Sequence, residues 1–497
     1  MTETAASGDI AALAKGGRTN FFGFLLRLAA RLPFLFIAGR LYGADALGRF
    51  ASALVVVELA ALLCSLGEKR GLAQRLADSI ESEPPANLVF DALLLALLFG
   101  SVAALFFWFV PQPLFPSGIY TDLDKLVVIA IPAYAMTEIL LAAQAYRFDI
   151  ATTVRARAIV EPWTISIMAG LLYFAVPEAG LPLAYLASIL AGLAAALWPF
   201  LRSYGLPAGW RPRLGRMTVL TWRAAPLAAA DAIEWGTRRL DIFILGLFAA
   251  PAVVGVYYVA QQVASLPQKL KTSFEPILGP VITRNLKTRD YAAIGAQIRQ
   301  VGFWIIAAQA GIALALAIPG EAVMGLVGPN FVGGTGALAL LLAAEVVASM
   351  AVVSEAALVY MARLKNLLLS LATIALQATL TVAIIKAVDF YGYPPAFQGA
   401  GAAAALFLAL GIASLAKAWL LSRLLGEGVS NWRGALVWAA GPAAVVGWLA
   451  TLLPEWAELL FGIPAILLTY GLIIWRWGFG PEDRVLFRRN MGGKAAA

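Results

Sequence analysis

Apolar residues in this chain gather into runs of about 20, the length that crosses a bilayer as a helix, and do not alternate as the strands of a membrane barrel would. The runs fall at 19–42, 46–66, 87–110, 124–146, 158–177, 182–201, 219–247, 252–283, 299–318, 335–361, 366–388, 399–423, 434–453 and 457–477. They predict an all-α integral membrane protein with fourteen transmembrane helices. The eighth run is long and contains Pro267, Pro276 and Pro280, which predicts a kink and a continuation beyond the membrane.

Polar residues between the runs are distributed unevenly. One set of connections carries Lys69, Arg70 and Arg75; Arg147, Arg155 and Arg157; Arg202, Arg211, Arg213 and Arg216; Arg284, Lys287 and Arg289; Arg363 and Lys365; Arg423 and Arg433; and, after the last run, Arg484, Arg488, Arg489 and Lys494. The alternate connections, near 111–122, 178–181, 248–251, 319–334 and 454–456, carry none. Arg40, Arg49, Lys125 and Lys386 are the exceptions on that second face. Positive residues stay on the cytoplasmic side, so both termini are expected in the cytoplasm, as an even number of spans requires. Residues 1–18 are polar, with no apolar core of a cleavable signal, so the first span is expected to act as its own insertion signal.

A shift of 207 residues aligns GRLYGADALGRF, residues 39–50, with GLFAAPAVVGVY, residues 246–257. Gly39 falls on Gly246, Gly48 on Gly255, Phe50 on Tyr257 and Arg31 on Arg238. The third to fifth spans land on the ninth to eleventh. Two parallel six-helix repeats follow, related by an axis along the membrane normal, with a cavity between them as in transporters built this way. The expected organisation is a cytoplasmic N-terminal segment at 1–18, an N-terminal six-helix lobe at 19–201 and a cytoplasmic linker at 202–218. A C-terminal six-helix lobe at 219–425, two extra transmembrane helices at 426–480 and a cytoplasmic tail at 481–497 complete it.

Composition narrows the chemistry. The chain is 61% hydrophobic and 13% charged, too little polar surface for a soluble particle. Its net charge of +8 resides in the connections, so it is explained by topology and not by a nucleic-acid partner. Histidine is absent, which removes His-based acid–base and metal chemistry, and no cofactor or metal site is expected. The single cysteine, Cys64, lies inside an apolar run and excludes a disulfide within the chain.

Ionisable residues inside spans are expensive and normally face protein or a wet cavity. Arg27 and Arg31 are four residues apart on one face of the first span. Such arginines either pair with another span or form a cationic wall for an anionic substrate, since the planar guanidinium fork suits phosphate. The seventh span carries Asp231, Glu234, Arg238, Arg239 and Asp241, with Glu234 and Arg238 in the favourable order for a pair within one helix. The eighth shows Gln261, Ser265, Gln268, Thr272 and Glu275 along one face, suited to sugar hydroxyls or to helix–helix bonding. Glu58, Glu138, Glu161, Glu345 and Glu355 are intramembrane carboxylates, and Lys417 is a further buried cation. Glu58 and Glu138, near mid-span, are the foremost candidates for ion coupling, with Asp231, Glu234 and Asp241 as candidates for coupling or charge pairing.

The stretches RLYGADALGRFASALVVVELAALLCSLGEKRGLAQRLA, from Arg40, and RRLDIFILGLFAAPAVVGVYYVAQQVASLPQKL, from Arg238, resemble the openings of the two halves of polysaccharide exporters of the MOP superfamily. That superfamily also holds O-antigen flippases, the lipid II flippase and multidrug antiporters. The likeness spans roughly residues 15–425 in architecture. It implies two bundles in a V, alternating access, and movement of polyprenyl-diphosphate-linked oligosaccharide from the cytoplasmic to the outer leaflet of the inner membrane for surface polysaccharide assembly. It further implies membrane lipid and polysaccharide polymerase or assembly proteins as partners, and transport instead of catalysis. The residues then expected to line the cavity and meet diphosphate or sugar are Arg27, Arg31, Arg238, Arg239, Gln261, Ser265 and Gln268. Two other classes remain open on sequence: an ion-coupled multidrug or metabolite antiporter, which would want net carboxylate character in its cavity, and a membrane-embedded polysaccharide polymerase or ligase, which would usually carry a sizeable extramembrane domain.

Overall fold

In lipid every backbone donor and acceptor must be satisfied inside the segment, and the α-helix does this along any apolar run. The computed structural model describes residues 32–78, 84–207, 209–212, 214–272, 282–480 and 483–484. Among them the protein is all-helical, without strands. Arg27 and Arg31, the 1–18 segment and most of the C-terminal tail lie outside the described residues.

The helices are α1 (32–42), α2 (Gly43–Cys64), α3 (Glu68–Asp78), α4 (Pro85–Phe109), α5 (Asp122–Tyr146), α6 (Ile150–Ala175), α7 (Gly180–Tyr204), α8 (Leu214–Phe248) and α9 (Pro251–Thr272). A short helical stretch at 282–287 follows. Then come α10 (Tyr291–Ala317), α11 (Gly320–Val327), α12 (Pro329–Met361), α13 (Arg363–Phe390), α14 (Ala396–Leu425), α15 (Ala435–Ala450) and α16 (Glu455–Gly478).

Among the described residues ten helical runs are long and apolar enough to cross a membrane. The first, Leu32–Cys64, covers the described end of the first expected span and the second span, with Gly43 at φ +80° between α1 and α2. The seventh, eighth and thirteenth expected spans are helices too, but fall outside that set for physical reasons. Between Asp231 and Asp241, α8 carries five charged residues; α9 is interrupted by amides and Pro267; α15 has only 16 residues. Of the three prolines on which the expected kink rests, Pro267 lies inside α9, and Pro276 and Pro280 lie outside the described residues.

Helix ends follow local chemistry. Thr121 and Asp124 cap α5 reciprocally: the Asp124 N–H donates to Thr121 Oγ1 (3.3 Å), and the Thr121 N–H donates to Asp124 Oδ2 (2.7 Å). Asp149 starts α6 by accepting from the Thr152 N–H (3.1 Å) and hydroxyl (2.6 Å). The spanning helices expose large apolar side chains such as Leu105 and Phe109 on α4, Leu171 and Phe174 on α6, and Trp438 on α15. Contiguous apolar exposure on this scale marks a lipid-facing surface.

The described residues form two compact units. One lies within Leu26–Val259 and Thr381–Gly399, the other within Ala260–Leu380 and Ala400–Ala497. In the first, α2 packs against α4, α5, α7 and α8, and α7 packs against α5 and α6. The linker after α7 is fastened here: Trp210 Nε1 donates to buried Asp91 on α4 (2.8 Å), and its ring lies 6.0 Å from that of Phe90.

Also in the first unit, α2 and α9 meet backbone to backbone. A Cβ on Gly48 would run into the carbonyl of Pro251 and come within 2.8 Å of the Gly255 nitrogen. A Cβ on Gly255 would run into the carbonyl of Ala44 and come within 2.9 Å of the Gly48 nitrogen. The 207-residue shift relates Gly48 to Gly255 and Ala44 to Pro251, so the contact is reciprocal between repeat-equivalent residues. Neither glycine is a turn residue; each sits inside a helix and permits close approach. A second equivalent pair differs in chemistry. Phe34 and Phe50 pack edge to face with centroids 5.8 Å apart, whereas their equivalents Asp241 and Tyr257 form a hydrogen bond of 2.6 Å.

In the second unit α10 packs on α12, α15 and α16 around a core that includes Phe303, Ile305, Leu421, Ile466 and Tyr470. The segment after α16 is locked down by buried Asp483. It accepts from Trp304 Nε1 (2.9 Å), from Arg433 Nη1 (2.6 Å) and from the Gly480 N–H (3.0 Å). Burial alone would raise this carboxyl; the bonds from Arg433, Gly480 and Trp304 outweigh it and hold Asp483 below its ordinary range. A depressed folded-state value stabilises the fold above the unfolded value, near pH 4, and that contribution is lost as pH falls through the folded value. Asp483→Asn is therefore expected to lower stability at pH 7 by about 1–2 kcal/mol, a figure reduced by the partial exposure of Arg433. Thermal unfolding at pH 7 and at pH 3 checks this: the gap between wild type and variant should close on acidification, and a gap independent of pH would contradict the assignment.

Candidate functional site

α8 brings its five charged residues to different partners. Arg238 Nη2 lies 3.0 Å from Glu234 Oε1 one turn away, the pair that their spacing predicts, with both side chains partly exposed. Arg239 reaches another helix: its Nε lies 3.4 Å from Glu58 Oε2 on α2. Asp241 is fully buried; Oδ2 accepts from the Tyr257 hydroxyl and Oδ1 from the Ile242 N–H (2.9 Å). Asp231 is also buried.

Arg157, counted among the cytoplasmic connections on sequence, is inside a spanning helix. α6 begins at Ile150, well before the start the apolar run suggests, because Asp149 caps it and the intervening polar turn is helical. Arg157 Nη1 lies 2.8 Å and 2.9 Å from the two oxygens of Glu161, and Nη2 bonds Glu138 on α5. Its guanidinium also stacks 4.4 Å from the centroid of Tyr134. Tyr134 and Glu138 are one turn apart on α5, and Arg157 and Glu161 one turn apart on α6, so two helical faces close on a four-residue cluster. A π-helical segment, Arg155–Val160, re-aims the residues of α6 at this point. Gly192 on α7 makes room, since a Cβ there would meet the Glu161 Cγ at 2.8 Å.

The two groups of charges adjoin. Tyr134 lies within electrostatic reach of Arg157, Glu138, Glu58 and Glu161, and Arg239 within reach of Glu58, Asp241 and Tyr134. The first unit thus holds three sets of intramembrane polar contacts: Arg157 with Glu138, Glu161 and the Tyr134 ring, Arg239 with Glu58, and Asp241 with Tyr257. Such contacts can exchange partners or take up a small cation without exposing a bare charge to lipid.

Of the remaining sequence candidates, Gln261 and Ser265 lie on α9 and fall in the second unit. Ser265 donates to the Gln262 carbonyl (2.6 Å). Gln268 is in the same helix, its side chain outside the described residues. The second unit has its own ion pair, with buried Lys417 and partly exposed Glu355: Lys417 Nζ lies 2.9 Å from Glu355 Oε2 and 3.1 Å from Ser370 Oγ, joining α14, α12 and α13. Sequence reasoning missed Arg157 and Tyr134. The spacing of Arg157 from Glu161, and of Tyr134 from Glu138, was the available signal. Among the described residues no cluster of three His, Cys, Asp or Glu side chains is arranged to hold a metal ion.

Many apolar helices enclosing a paired-charge network define a multi-pass helical membrane protein of transporter type. The chain belongs to the polysaccharide biosynthesis protein family, whose model matches residues 37–301, more than half its length. Its fold is that of the MOP superfamily. It superposes on the lipid II flippase MurJ in an inward closed conformation with a TM-score of 0.65 at 12% identity, covering 93% of this chain and 97% of that one. It superposes on an inward-facing multidrug resistance MATE transporter of the MOP superfamily at 0.60 and 15%, covering 84% and 94%. The Vibrio cholerae MATE transporter VcmN in its bent form gives 0.55 and 13%, covering 84% and 98%. No curated protein matches the sequence.

Proposed function

We propose that this protein is a flippase that moves polyprenyl-diphosphate-linked oligosaccharide from the cytoplasmic to the outer leaflet of the inner membrane, for surface polysaccharide assembly. The observation that carries the reading is membership of the polysaccharide biosynthesis family by a chain with an ionised network inside its membrane helices. A diphosphate sugar head cannot cross hydrocarbon unaided, because burying its charge there is prohibitive. A cavity between two six-helix lobes, 19–201 and 219–425, would shelter the head while the polyprenyl tail stays in lipid, and rocking of the lobes would expose it on the other side. Arg27, Arg31 and Arg238 would meet the diphosphate, and Gln261, Ser265 and Gln268 the sugar. The two extra helices, 426–480, complete a topology with both ends in the cytoplasm. Polymerase or assembly proteins would take the product.

The sequence has no phosphate-binding loop of the ATPase kind. The drive is therefore assigned to an ion gradient, the membrane potential or consumption of product outside. Glu58 and Glu138, each already paired with an arginine, are the groups through which a proton or sodium ion would act. One second reading is an ion-coupled antiporter of drugs or metabolites, supported by the fold shared with multidrug resistance MATE transporters.

The deciding experiment measures lipid-linked oligosaccharide in cells depleted of the protein. Accumulation on the cytoplasmic leaflet is expected. Accumulation on the outer leaflet would point to a later assembly step, and absence of accumulation would favour the antiporter.

A further inference from the structure

Four arginines at or just beyond the ends of spanning helices stack on an aromatic ring: Arg147 on Tyr204, Arg202 on Trp198, Arg423 on Trp419 and Arg484 on Trp475. All four belong to the connections that carry the chain's positive charge. In two of them the protein itself uses the edge of the guanidinium. Arg147 Nη1 donates to the Ser203 carbonyl, and Arg484 Nη2 to the Trp475 carbonyl at 3.5 Å. Arg202 and Arg423 differ. Among the described residues neither makes an ion pair or a hydrogen bond; each rests on its ring, at 5.2 Å and 5.6 Å from the centroid. The charge asymmetry explains where these arginines stand, but not why each lies on a tryptophan.

Each stack closes an exposed apolar track. On α14, Leu408, Ile412, Leu415 and Trp419 are exposed and recur every three or four residues, so they share a face, with exposed Arg423 one turn further. On α7, exposed Leu190, Ala194 and Trp198 recur every four residues, with exposed Arg202 one turn further. The two rings are 63% and 62% exposed, so packing within either unit is not their purpose. The helix rises ~18 Å from Leu190 to Arg202 and ~22 Å from Leu408 to Arg423, enough to cross the ~15 Å of hydrocarbon in one leaflet.

The arrangement occurs once in each unit. α7 and α14 are the sixth spans of the two repeats. There the 207-residue shift does not match the tryptophans, but a shift of 221 sets Trp198 on Trp419 and Arg202 on Arg423. The register has slipped between the copies, yet both keep the ring and the guanidinium one turn apart.

We propose that Trp198 with Arg202, and Trp419 with Arg423, form two sites for an anionic phospholipid, the phosphate on the guanidinium edge and an acyl chain along the track. Stacking occupies one face of the guanidinium and leaves its in-plane N–H donors for phosphate oxygens. The indole holds the guanidinium at headgroup level, where tryptophan belongs in a membrane. No competing carboxylate is at hand. The sequence has no Asp or Glu between Glu178 and Asp231, and Glu427, beyond Gly426 at φ +70°, does not pair with Arg423. A zwitterionic lipid brings its own cation to the phosphate and an anionic one does not, so the arginines favour the second. The sites require insertion in a membrane and are independent of what the protein transports.

The test uses full-length protein in detergent with equal amounts of phosphatidylglycerol and phosphatidylcholine, and counts retained lipids by native mass spectrometry. Wild type is expected to retain phosphatidylglycerol preferentially. Arg202→Gln and Arg423→Gln should each weaken retention at one site by about fivefold, and the double variant should lose both sites. Arg202→Lys and Arg423→Lys keep the charge without the planar fork and should fall between. Trp198→Leu and Trp419→Leu should weaken retention although the track stays apolar. Arg211→Gln removes the same charge from the exposed linker and should change nothing. These side chains are exposed, so thermal unfolding should be unaltered in every variant. Retention unchanged in the double variant, or an equal loss in Arg211→Gln, would overturn the sites. Equal retention of phosphatidylcholine by wild type would overturn the selectivity for anionic lipid. Release of the bound lipid by millimolar inorganic phosphate would overturn the lipid assignment in favour of a free anion.

Discussion

Replacing Arg157 with methionine is expected to destabilise the protein by about 3–5 kcal/mol, the usual consequence of removing one partner from a buried ion pair, and to abolish transport. The guanidinium lies between Glu138 and Glu161, both largely buried, and stacks on Tyr134. Methionine keeps much of the volume but leaves two carboxylates facing one another in a low-dielectric interior. They can relax only by taking up a proton. Adding Glu138→Gln should therefore restore a large part of the loss, with a coupling energy of about 1–3 kcal/mol in a double-mutant cycle. Thermal unfolding of the four proteins in detergent, alongside the leaflet assay, provides the measurement. A single mutant within about 0.5 kcal/mol of wild type would mean that the cluster is solvated and not structural.

The second large effect concerns the crossing of α2 and α9. Gly48→Ala and Gly255→Ala are each expected to cost about 2–3 kcal/mol, because the added methyl meets backbone that cannot rotate away. The double variant should cost much less than the two together: the separation that admits one methyl makes room for the other. Strict additivity in thermal unfolding would show that the two glycines do not share one contact.

Much of the architecture was legible in the sequence. The helices α4, α5, α7, α13, α14 and α16 begin and end within a few residues of the apolar runs, since hydrophobic length alone decides whether a segment spans. Where polar residues enter, that signal fades. Arg157 was counted with the loop because hydropathy cannot see a helix continuing through a polar turn capped by Asp149. The Glu234–Arg238 pair was readable because both partners lie one turn apart on a single helix. The partners of Arg157 and Arg239 across helices, Glu138 and Glu58, were not, because they depend on how helices pack and not on local spacing. The same holds for the two glycines: alignment matched them, but only packing shows that they touch.

That reciprocal contact has the geometry of a homodimer. When two separate chains meet on a two-fold axis, residue i of one touches j of the other and j touches i. Here Ala44 with Gly255 and Pro251 with Gly48 obey that rule inside one polypeptide. A chain of about half this length, carrying the same patch, would already possess a self-complementary surface for pairing with its twin. Joining two such genes end to end would preserve the patch and free each half to diverge. The difference between Phe34 with Phe50 and Asp241 with Tyr257 is what such freedom allows: one half has an apolar lock where the other has an ionisable one.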